Sequence, residues 1–257
     1  MNVHLDDIEI DDIKDIAILA GNAVIDIYNN DFEISYKEDN SPLTEADLKA
    51  NKIICDNLLE FYPHIPILSE ENKEITYDIR QNWEYYWCID PIDGTKEFIN
   101  KNGEFTINIA LICNNIPVLG VVYAPVFKDI YYAKKDNGAY KNNEKLPIIV
   151  NDDIRKKITV VASKSYLSKE TQKYINNFDS KEIVQVFKGS SLKFCMVAEG
   201  IADVYPRLSP TMEWDTAASH AIILESGKEV IQYENLEPVS YNKENLVNPW
   251  FIVKNKD

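Results

Sequence analysis

The chain has 257 residues, a hydrophobic share of 45% and a formal net charge of −15. This length and composition predict a folded globular protein with a sizeable core, and the negative charge argues against a nucleic-acid partner, whose phosphates attract basic surfaces. The N-terminus is acidic and no stretch approaches the ~20 apolar residues that span a bilayer, so we predict a cytoplasmic protein without an integral membrane segment.

Two amphipathic helices are predicted near the N-terminus. Apolar residues recur at helical spacing over 10–27. A second helix is predicted to begin at Thr44, an N-cap residue with Asp47 three positions later, and to end before Pro63.

From residue 67 onward, short β-branched and aromatic runs are typical of strands. Beyond about residue 158, predicted strands and helices alternate, which favours sheet layers covered by helices. The predicted strands are 67–68, 85–89, 106–112, 118–123, 130–132, 159–161, 183–187 and 203–205, with edge strands at Val230 and Ile252, and the later helices are 169–178, 190–199 and 215–225.

The polar segment 142–153 is the predicted boundary between two halves of the chain. We expect an N-terminal half, residues 1–150, that carries most metal ligands, and a C-terminal half, residues 151–257, that completes the metal and substrate site.

Acidic residues stand at the ends of hydrophobic strands in three clusters, 67–71, 87–95 and 213–218. In the middle cluster Pro91 redirects the chain between Asp90 and Asp93, so that two carboxylates can converge on one point. Hard oxygen ligands of this kind select Mg²⁺, Mn²⁺ or Ca²⁺. An isolated Asp-Gly-Thr is more often a turn, and Asp47 alone is more often a helix cap; the joint occurrence of the clusters favours a metal site.

These clusters resemble the paired signatures of the inositol-monophosphatase superfamily, and fuller strings are similar to its CysQ-type 3'(2'),5'-bisphosphate nucleotidases. The resemblance covers almost the whole chain. The strings that carry it are 40–47 (NSPLTEAD), 68–71 (LSEE), 90–98 (DPIDGTKEF), 103–108 (GEFTIN), 189–194 (GSSLKF) and 214–218 (WDTAA).

The resemblance implies an αβαβα sandwich, dependence on Mg²⁺ and sensitivity to Li⁺. It implies two Mg²⁺ ions, with a third, more loosely held ion allowed near Glu70. Position by position, it assigns the metal ions to Glu70, Asp90, the carbonyl of Ile92, Asp93 and Asp215. Asp47 and Thr95 would position the attacking water, and Glu70 would share in this catalytic role.

The expected reaction is removal of the 3'-phosphate from 3'-phosphoadenosine 5'-phosphate, a by-product of sulfur assimilation, to give AMP and phosphate. Lys193 and Arg207 are the candidates for the remaining substrate charge. The alternative for Lys193 is an ordinary surface helix lysine, and for Arg207 the residues alone leave near-even odds, which the resemblance raises. The full set of expected substrate contacts is Asp93, Gly94, Thr95, Ser190, Ser191, Lys193, Arg207 and Asp215.

Other functions remain open at this point. An inositol monophosphatase would use the same metals on a sugar or polyol phosphate. A non-catalytic regulator of the same fold would not need the water-positioning pair Asp47 and Thr95. A calcium-binding EF-hand is disfavoured because its ligand loop is absent. The expected partner is a small phosphorylated nucleotide, and the oligomeric state stays open.

Overall fold

The computed structural model describes residues 4–36, 42–72, 75–148, 157–163, 167–178 and 182–256. Asn40 and Ser41 of the first motif, and 149–153 of the predicted boundary, lie outside these ranges. Within the same ranges, none of the helices has the length and apolar character needed to cross a membrane. The division of the chain into an N-terminal and a C-terminal half stays a prediction.

Two long helices form the outer layer of the N-terminal part, as the periodicity predicts. They are α1 (Ile10–Tyr28) and α2 (Glu45–Phe61). A capping box begins α2: the Thr44 hydroxyl accepts the Ala46 N–H, and the Asp47 carboxylate accepts the Thr44 N–H at 2.8 Å. These bonds satisfy amide groups that the first helical turn would leave unpaired.

Among the described residues, the first large sheet has seven strands in their chain order, and its first two strands are parallel while the rest are antiparallel. Ahead of it, β1 (Ile34–Tyr36) pairs antiparallel with β2 (Pro42–Thr44). The seven strands are β3 (Ile67–Ser69), β4 (Tyr85–Asp93), β5 (Thr106–Cys113), β6 (Ile116–Ala124), β7 (Asp129–Lys134), β8 (Ala139–Lys141) and β9 (Glu144–Lys145). Two short helices, α3 (Tyr77–Arg80) and α4 (Thr95–Ile99), flank β4.

The second sheet has five strands within the part of the chain that the structure describes, and their pairing is mixed. Its strands are β10 (Lys157–Ala162), β11 (Glu182–Phe187), β12 (Val204–Arg207), β13 (Lys228–Gln232) and β14 (Phe251–Asn255), in the spatial order β11-β10-β12-β14-β13. The accompanying helices are α5 (Lys169–Asn176), α6 (Leu192–Glu199) and α7 (Glu213–Glu225).

These elements stack in five layers, which confirms the expected αβαβα sandwich. Helices α1 and α2 cover one face of the first sheet, α6 and α7 fill the space between the sheets, and α5 covers the far face of the second. Helix α7 approaches β6 so closely that a Cβ at Gly120 would lie 2.1 Å from the carbonyl oxygen of Ala218. Glycine is therefore required there for α7 to reach its position.

Several predicted boundaries differ from the structure. Helix α6 begins at Leu192 rather than at residue 190, because Ser190 has a left-handed φ of 43° that interrupts a helix. Helix α7 begins at Glu213, two residues earlier than predicted, and α5 ends at Asn176. The strand containing Ile252 is not an edge strand, since β14 pairs with both β12 and β13.

Candidate functional site

The parallel pairing of β3 and β4 brings the first two acidic clusters together. Leu68 pairs with Cys88, and Ser69 pairs with Ile89. Because the carboxyl ends of parallel strands meet at one edge, Glu70, which follows β3, lies near Asp90 on β4. Asp90 is buried, and its Oδ1 accepts the N–H of Ile92 at 3.1 Å.

A β-bulge places Asp93 on the same side of the sheet as Asp90. Asp90 pairs with Asn108 and Asp93 pairs with Thr106, so three steps along β4 match two along β5. In a regular strand, side chains three residues apart point to opposite faces. The extra residue cancels this alternation, and the two carboxylates share one face.

A small hydrogen-bonded group joins Asp93 to the C-terminal part of the chain. The Ser191 hydroxyl, in the N-cap residue of α6, lies 2.9 Å from Asp93 Oδ2 and 3.0 Å from the carbonyl oxygen of Asp215, to either of which it can donate. Asn108 Nδ2 donates to Ser191 Oγ at 2.9 Å and lies 3.5 Å from Asp93 Oδ2. Asn108 was not singled out from the sequence, although it lies within the quoted string 103–108.

Asp47 combines the capping role and the predicted pairing with Thr95. Its Oδ2 accepts the Thr44 N–H at 2.8 Å and the Thr44 hydroxyl at 2.7 Å. The Thr95 hydroxyl donates to Asp47 Oδ1 at 3.3 Å, with the carbonyl oxygen of Ile92 as a second acceptor at 3.4 Å. Asp47 can therefore act both as a helix cap and as the partner of Thr95, because each role uses a different carboxylate oxygen.

The third cluster reaches the site through the first turn of α7. Asp215 is the third residue of this helix, and its Oδ2 accepts the N–H of the N-cap residue Met212 at 2.8 Å. This bond turns the carboxylate toward the beginning of the helix and fixes it there.

The basic residues of the site come from the C-terminal part of the chain. Lys193 is 6% exposed, so it is not an ordinary surface lysine, and its Nζ donates to the Ser190 carbonyl oxygen at 2.5 Å. Burial lowers the pKa of Lys193 to about 8, and the nearby Asp93 opposes this shift. Arg207 Nη2 donates to the Pro210 carbonyl oxygen at 3.2 Å.

A cavity of ≈640 Å³ collects most of the predicted site residues. Asp47 and Ser191 are not among its lining residues, but they contact Thr95 and Asp93, which are. The predicted site residues on its wall are Glu70, Asp90, Ile92, Asp93, Gly94, Thr95, Ser190, Lys193, Arg207 and Asp215.

The carboxylates of this cavity disfavour one another's ionisation. Burial raises the pKa of Asp90 well above its usual range, and the charges of Glu70 and Asp93 raise it further. Burial also raises the pKa of Asp93, against the influence of Lys193. Burial followed by the charge of Asp93 raises the pKa of Asp215 to about 8. Without a cation the neutral forms of these carboxyls are therefore favoured, and their full ionisation would require positive charge that the basic groups of the site do not supply.

The donor set fits a hard divalent cation in charge and in ligand chemistry, since it consists of carboxylate and carbonyl oxygens. Within the described ranges, however, no group of three or more histidine, cysteine, aspartate or glutamate side chains is arranged to hold a metal ion in its present position. Asp90, Asp93 and Asp215 each engage one carboxylate oxygen in a hydrogen bond with the chain itself.

His220, in α7, is a core residue. It is 2% exposed, and its Nδ1 lies 2.9 Å from the Tyr241 hydroxyl. Burial lowers its pKa to about 3, so it is a neutral structural group.

Comparison with known proteins gives a consistent result over nearly the full chain. Residues 7–251 match the model of the Inositol monophosphatase family. The 3'(2'),5'-bisphosphate nucleotidase CysQ of Shigella flexneri is 40% identical over 247 residues, which cover 95% of this chain and 98% of that protein. The crystal structure of CysQ from Bacteroides thetaiotaomicron superposes with a TM-score of 0.86 at 44% identity, covering 96% of both chains. An inositol monophosphate-bound Staphylococcus aureus enzyme, SaIMPase-II, has a TM-score of 0.77 at 22% identity and covers 95% of this chain and 88% of that one, which shows the shared fold alone.

The raised pKa of Asp215 predicts a pH dependence of stability in the absence of metal. The neutral carboxyl is favoured in the folded state, so the stability that it contributes is fully present below its ordinary pKa of 3.8 and is lost as pH rises through about 8. From about pH 6 to pH 8, urea denaturation in EDTA should show the free energy of unfolding falling by up to ~1.4 kcal/mol per pH unit through this group, and this contribution should level off above about pH 8 as the folded-state carboxyl ionises.

The variant Asp215→Asn should make this fall less steep, because the amide oxygen can still accept the Met212 N–H but does not titrate. The part of the slope due to Asp90 and Asp93, whose pKa values are also raised, should remain. Asp56→Asn, which changes an exposed acid paired with Lys52, serves as the matched control and should keep the parent's slope. A parent profile that is level or rises over the same window would contradict the assigned shift.

Proposed function

The chain belongs to the inositol monophosphatase family, and we propose that it is a Mg²⁺-dependent 3'(2'),5'-bisphosphate nucleotidase. Its substrate in this proposal is 3'-phosphoadenosine 5'-phosphate, from which it releases the 3'-phosphate and AMP. The similarity to CysQ enzymes over 95% of the chain supports the reaction class.

One observation of the site carries the proposal. The same cavity is lined by two parts of a site: a carboxylate set, and the basic side chains of the buried Lys193 and of Arg207. A carboxylate set that binds metal can take the phosphate to be cleaved, while the two cations suit a second phosphate that stays attached. A substrate with two separate phosphates uses both parts, whereas a simple monophosphate uses only the first.

The proposed metal ligands are the buried or half-buried oxygens described above. Bound Mg²⁺ would neutralise phosphoryl oxygens, lower the pKa of a water and stabilise the leaving alkoxide. The carbonyl oxygen of Ile92 joins the set because the bulge between Asp90 and Asp93 interrupts the regular strand pairing there. The full proposed set is Glu70, Asp90, the Ile92 carbonyl, Asp93 and Asp215, serving two Mg²⁺ ions, with a third allowed near Glu70.

Thr95 and Asp47 are proposed to orient the attacking water. When the Thr95 hydroxyl donates to Asp47 Oδ1, the lone pairs of Thr95 Oγ1 are left to accept a hydrogen bond from water. Asp47 cannot turn away easily, because its other oxygen is held by both the amide and the hydroxyl of Thr44. Glu70 would share in activating this water from the end of β3. Thr95 and Asp47 would thus fix the direction of the hydrogen bond that the water donates.

The remaining proposed contacts hold the substrate. The Gly94-Thr95 backbone at the beginning of α4 would face the phosphate that is cleaved, with Asp93 and Asp215 beside it. Lys193 and Arg207 would bind the second phosphate, and Ser190 and Ser191 would lie next to it. A phosphate dianion near Lys193 would favour the protonated ammonium and so oppose the effect of burial on its pKa.

A phosphate-release assay tests the proposal directly. With Mg²⁺, the parent should hydrolyse 3'-phosphoadenosine 5'-phosphate with a much higher kcat/KM than inositol 1-phosphate, and EDTA should abolish both activities. Asp90→Asn should lose activity by several orders of magnitude while keeping the parent's circular dichroism, with Asp56→Asn as an active control. A preference for inositol 1-phosphate would instead favour an inositol monophosphatase.

Lys193→Ala should affect the binding of the uncleaved phosphate and not the binding of the phosphate that is cleaved. The lost charge-assisted hydrogen bond corresponds to roughly 1.5–3 kcal/mol, so kcat/KM for the bisphosphate should fall on the order of tens-fold, mainly through KM. Adenosine 3'-phosphate, which lacks the second phosphate, should be affected little. Equal losses on both substrates would place Lys193 at the reacting centre, against the proposed role.

A further inference from the structure

Glu104, in the loop between α4 and β5, contacts the turn that precedes α6. Its Oε2 accepts the Gly189 N–H at 2.8 Å, and its Oε1 accepts the Lys188 Nζ at 2.9 Å. The contact is tight, because a Cβ added at Gly189 would lie 2.7 Å from the Glu104 carbonyl oxygen and 2.9 Å from Glu97 Cγ. The backbone of Gly189 is therefore enclosed between two segments of the N-terminal part.

The turn held in this way determines where Lys193 lies. Ser190 has a φ of 43°, which L-residues rarely adopt and which surrounding contacts must therefore maintain. The Ser190 carbonyl oxygen accepts the Lys193 ammonium at 2.5 Å. The next residue, Ser191, is separately held by Asp93 and Asn108. Gly189 and Ser190 are thus the part of the turn whose position depends on Glu104.

We propose that Glu104 is a positioning residue for substrate recognition, which aligns the Lys193 ammonium with the uncleaved phosphate by holding the Gly189 amide. This inference rests on the proposed bisphosphate nucleotidase activity. Glu104 does not line the cavity, so it acts through the turn and not by touching the substrate.

The ion pair with Lys188 is not the functional part of this arrangement. Both side chains are about one quarter exposed, at 27% for Glu104 and 29% for Lys188, and ion pairs near the surface are screened by solvent. The bond to the Gly189 amide is different, because a carboxylate accepting a backbone N–H is a strong, charge-assisted contact. Removing Glu104 leaves that amide without its acceptor and allows Ser190 to leave the left-handed region.

The expected kinetic signature differs from that of general destabilisation. Glu104→Ala should raise KM for 3'-phosphoadenosine 5'-phosphate on the order of tenfold, with kcat within about threefold of the parent, because the contact is used in binding and in the transition state alike. KM for adenosine 3'-phosphate should stay unchanged. Glu104→Gln should remain close to the parent, since its amide oxygen can still accept the Gly189 N–H.

The test is steady-state kinetics on both substrates for six variants: Glu104→Ala, Glu104→Asp, Glu104→Gln, Lys188→Met, Lys193→Ala, and the double variant Glu104→Ala with Lys193→Ala. In Glu104→Asp the side chain is too short to reach Gly189, so this variant should show the same kinetic changes as Glu104→Ala. It takes the place of Glu104→Ala if the alanine variant does not fold. Lys188→Met is the matched control and should behave as the parent. If Glu104 acts through Lys193, the double variant should be no weaker than Lys193→Ala alone.

Additive losses in the double variant, equal losses on the two substrates, or a Lys188→Met variant as impaired as Glu104→Ala would overturn the inference. An active parent with an unchanged KM in both Glu104→Ala and Glu104→Asp would contradict the positioning role alone. A parent that does not hydrolyse the bisphosphate would contradict the proposed function and this inference with it, so the two failures are distinguishable.

Discussion

The burial and mutual repulsion of clustered carboxylates form the constraint on which the rest of this site depends. The pKa of Asp90 is raised by burial and by four other acidic side chains, and those of Asp93 and Asp215 are raised as well. Such a group is unfavourable unless something holds the oxygens apart or neutralises them. In the structure, backbone amides and the Ser191 hydroxyl hold them by hydrogen bonds. A divalent cation would supply the neutralisation that these neutral donors cannot.

The fold meets this constraint by bringing the acids from separate elements that are themselves rigid. Parallel pairing of β3 with β4 places Glu70 near Asp90, and a bulge turns Asp93 to the same face. Helix α7 lies between the two sheets, close enough to β6 that only glycine fits at residue 120, and its first turn delivers Asp215. Each element also contributes to the core, so the site is built into the packing rather than added to a loop.

The sequence predicts the regular elements well and the local irregularities poorly. Helices α1 and α2 follow from hydrophobic periodicity and strands β3 to β7 from β-branched and aromatic runs, whereas β8 and β9 are not predicted. The five-layer arrangement is expected only from the family resemblance. Three features depend on contacts between residues distant in sequence, and hydrophobic periodicity carries no information about such contacts. They are the bulge that aligns Asp93, the left-handed backbone of Ser190 and the inner position of β14.

The same limit applies to the site residues. Those in the quoted motifs come together in one cavity, as predicted. Asn108 and Glu104 were quoted within a motif without a role, because their contacts with Ser191 and Gly189 join residues about 80 positions apart.

Proton release on Mg²⁺ binding tests the central claim most directly. Carboxylates bind metal in their ionised form, and Asp215 with a pKa of about 8 is largely protonated at neutral pH without metal. Calorimetric titration with Mg²⁺ at about pH 7, in two buffers of different ionisation enthalpy, should show a net release of protons that shrinks near pH 9 and in Asp215→Asn. Binding of Mg²⁺ at neutral pH without proton release, or no binding at all, would contradict the account.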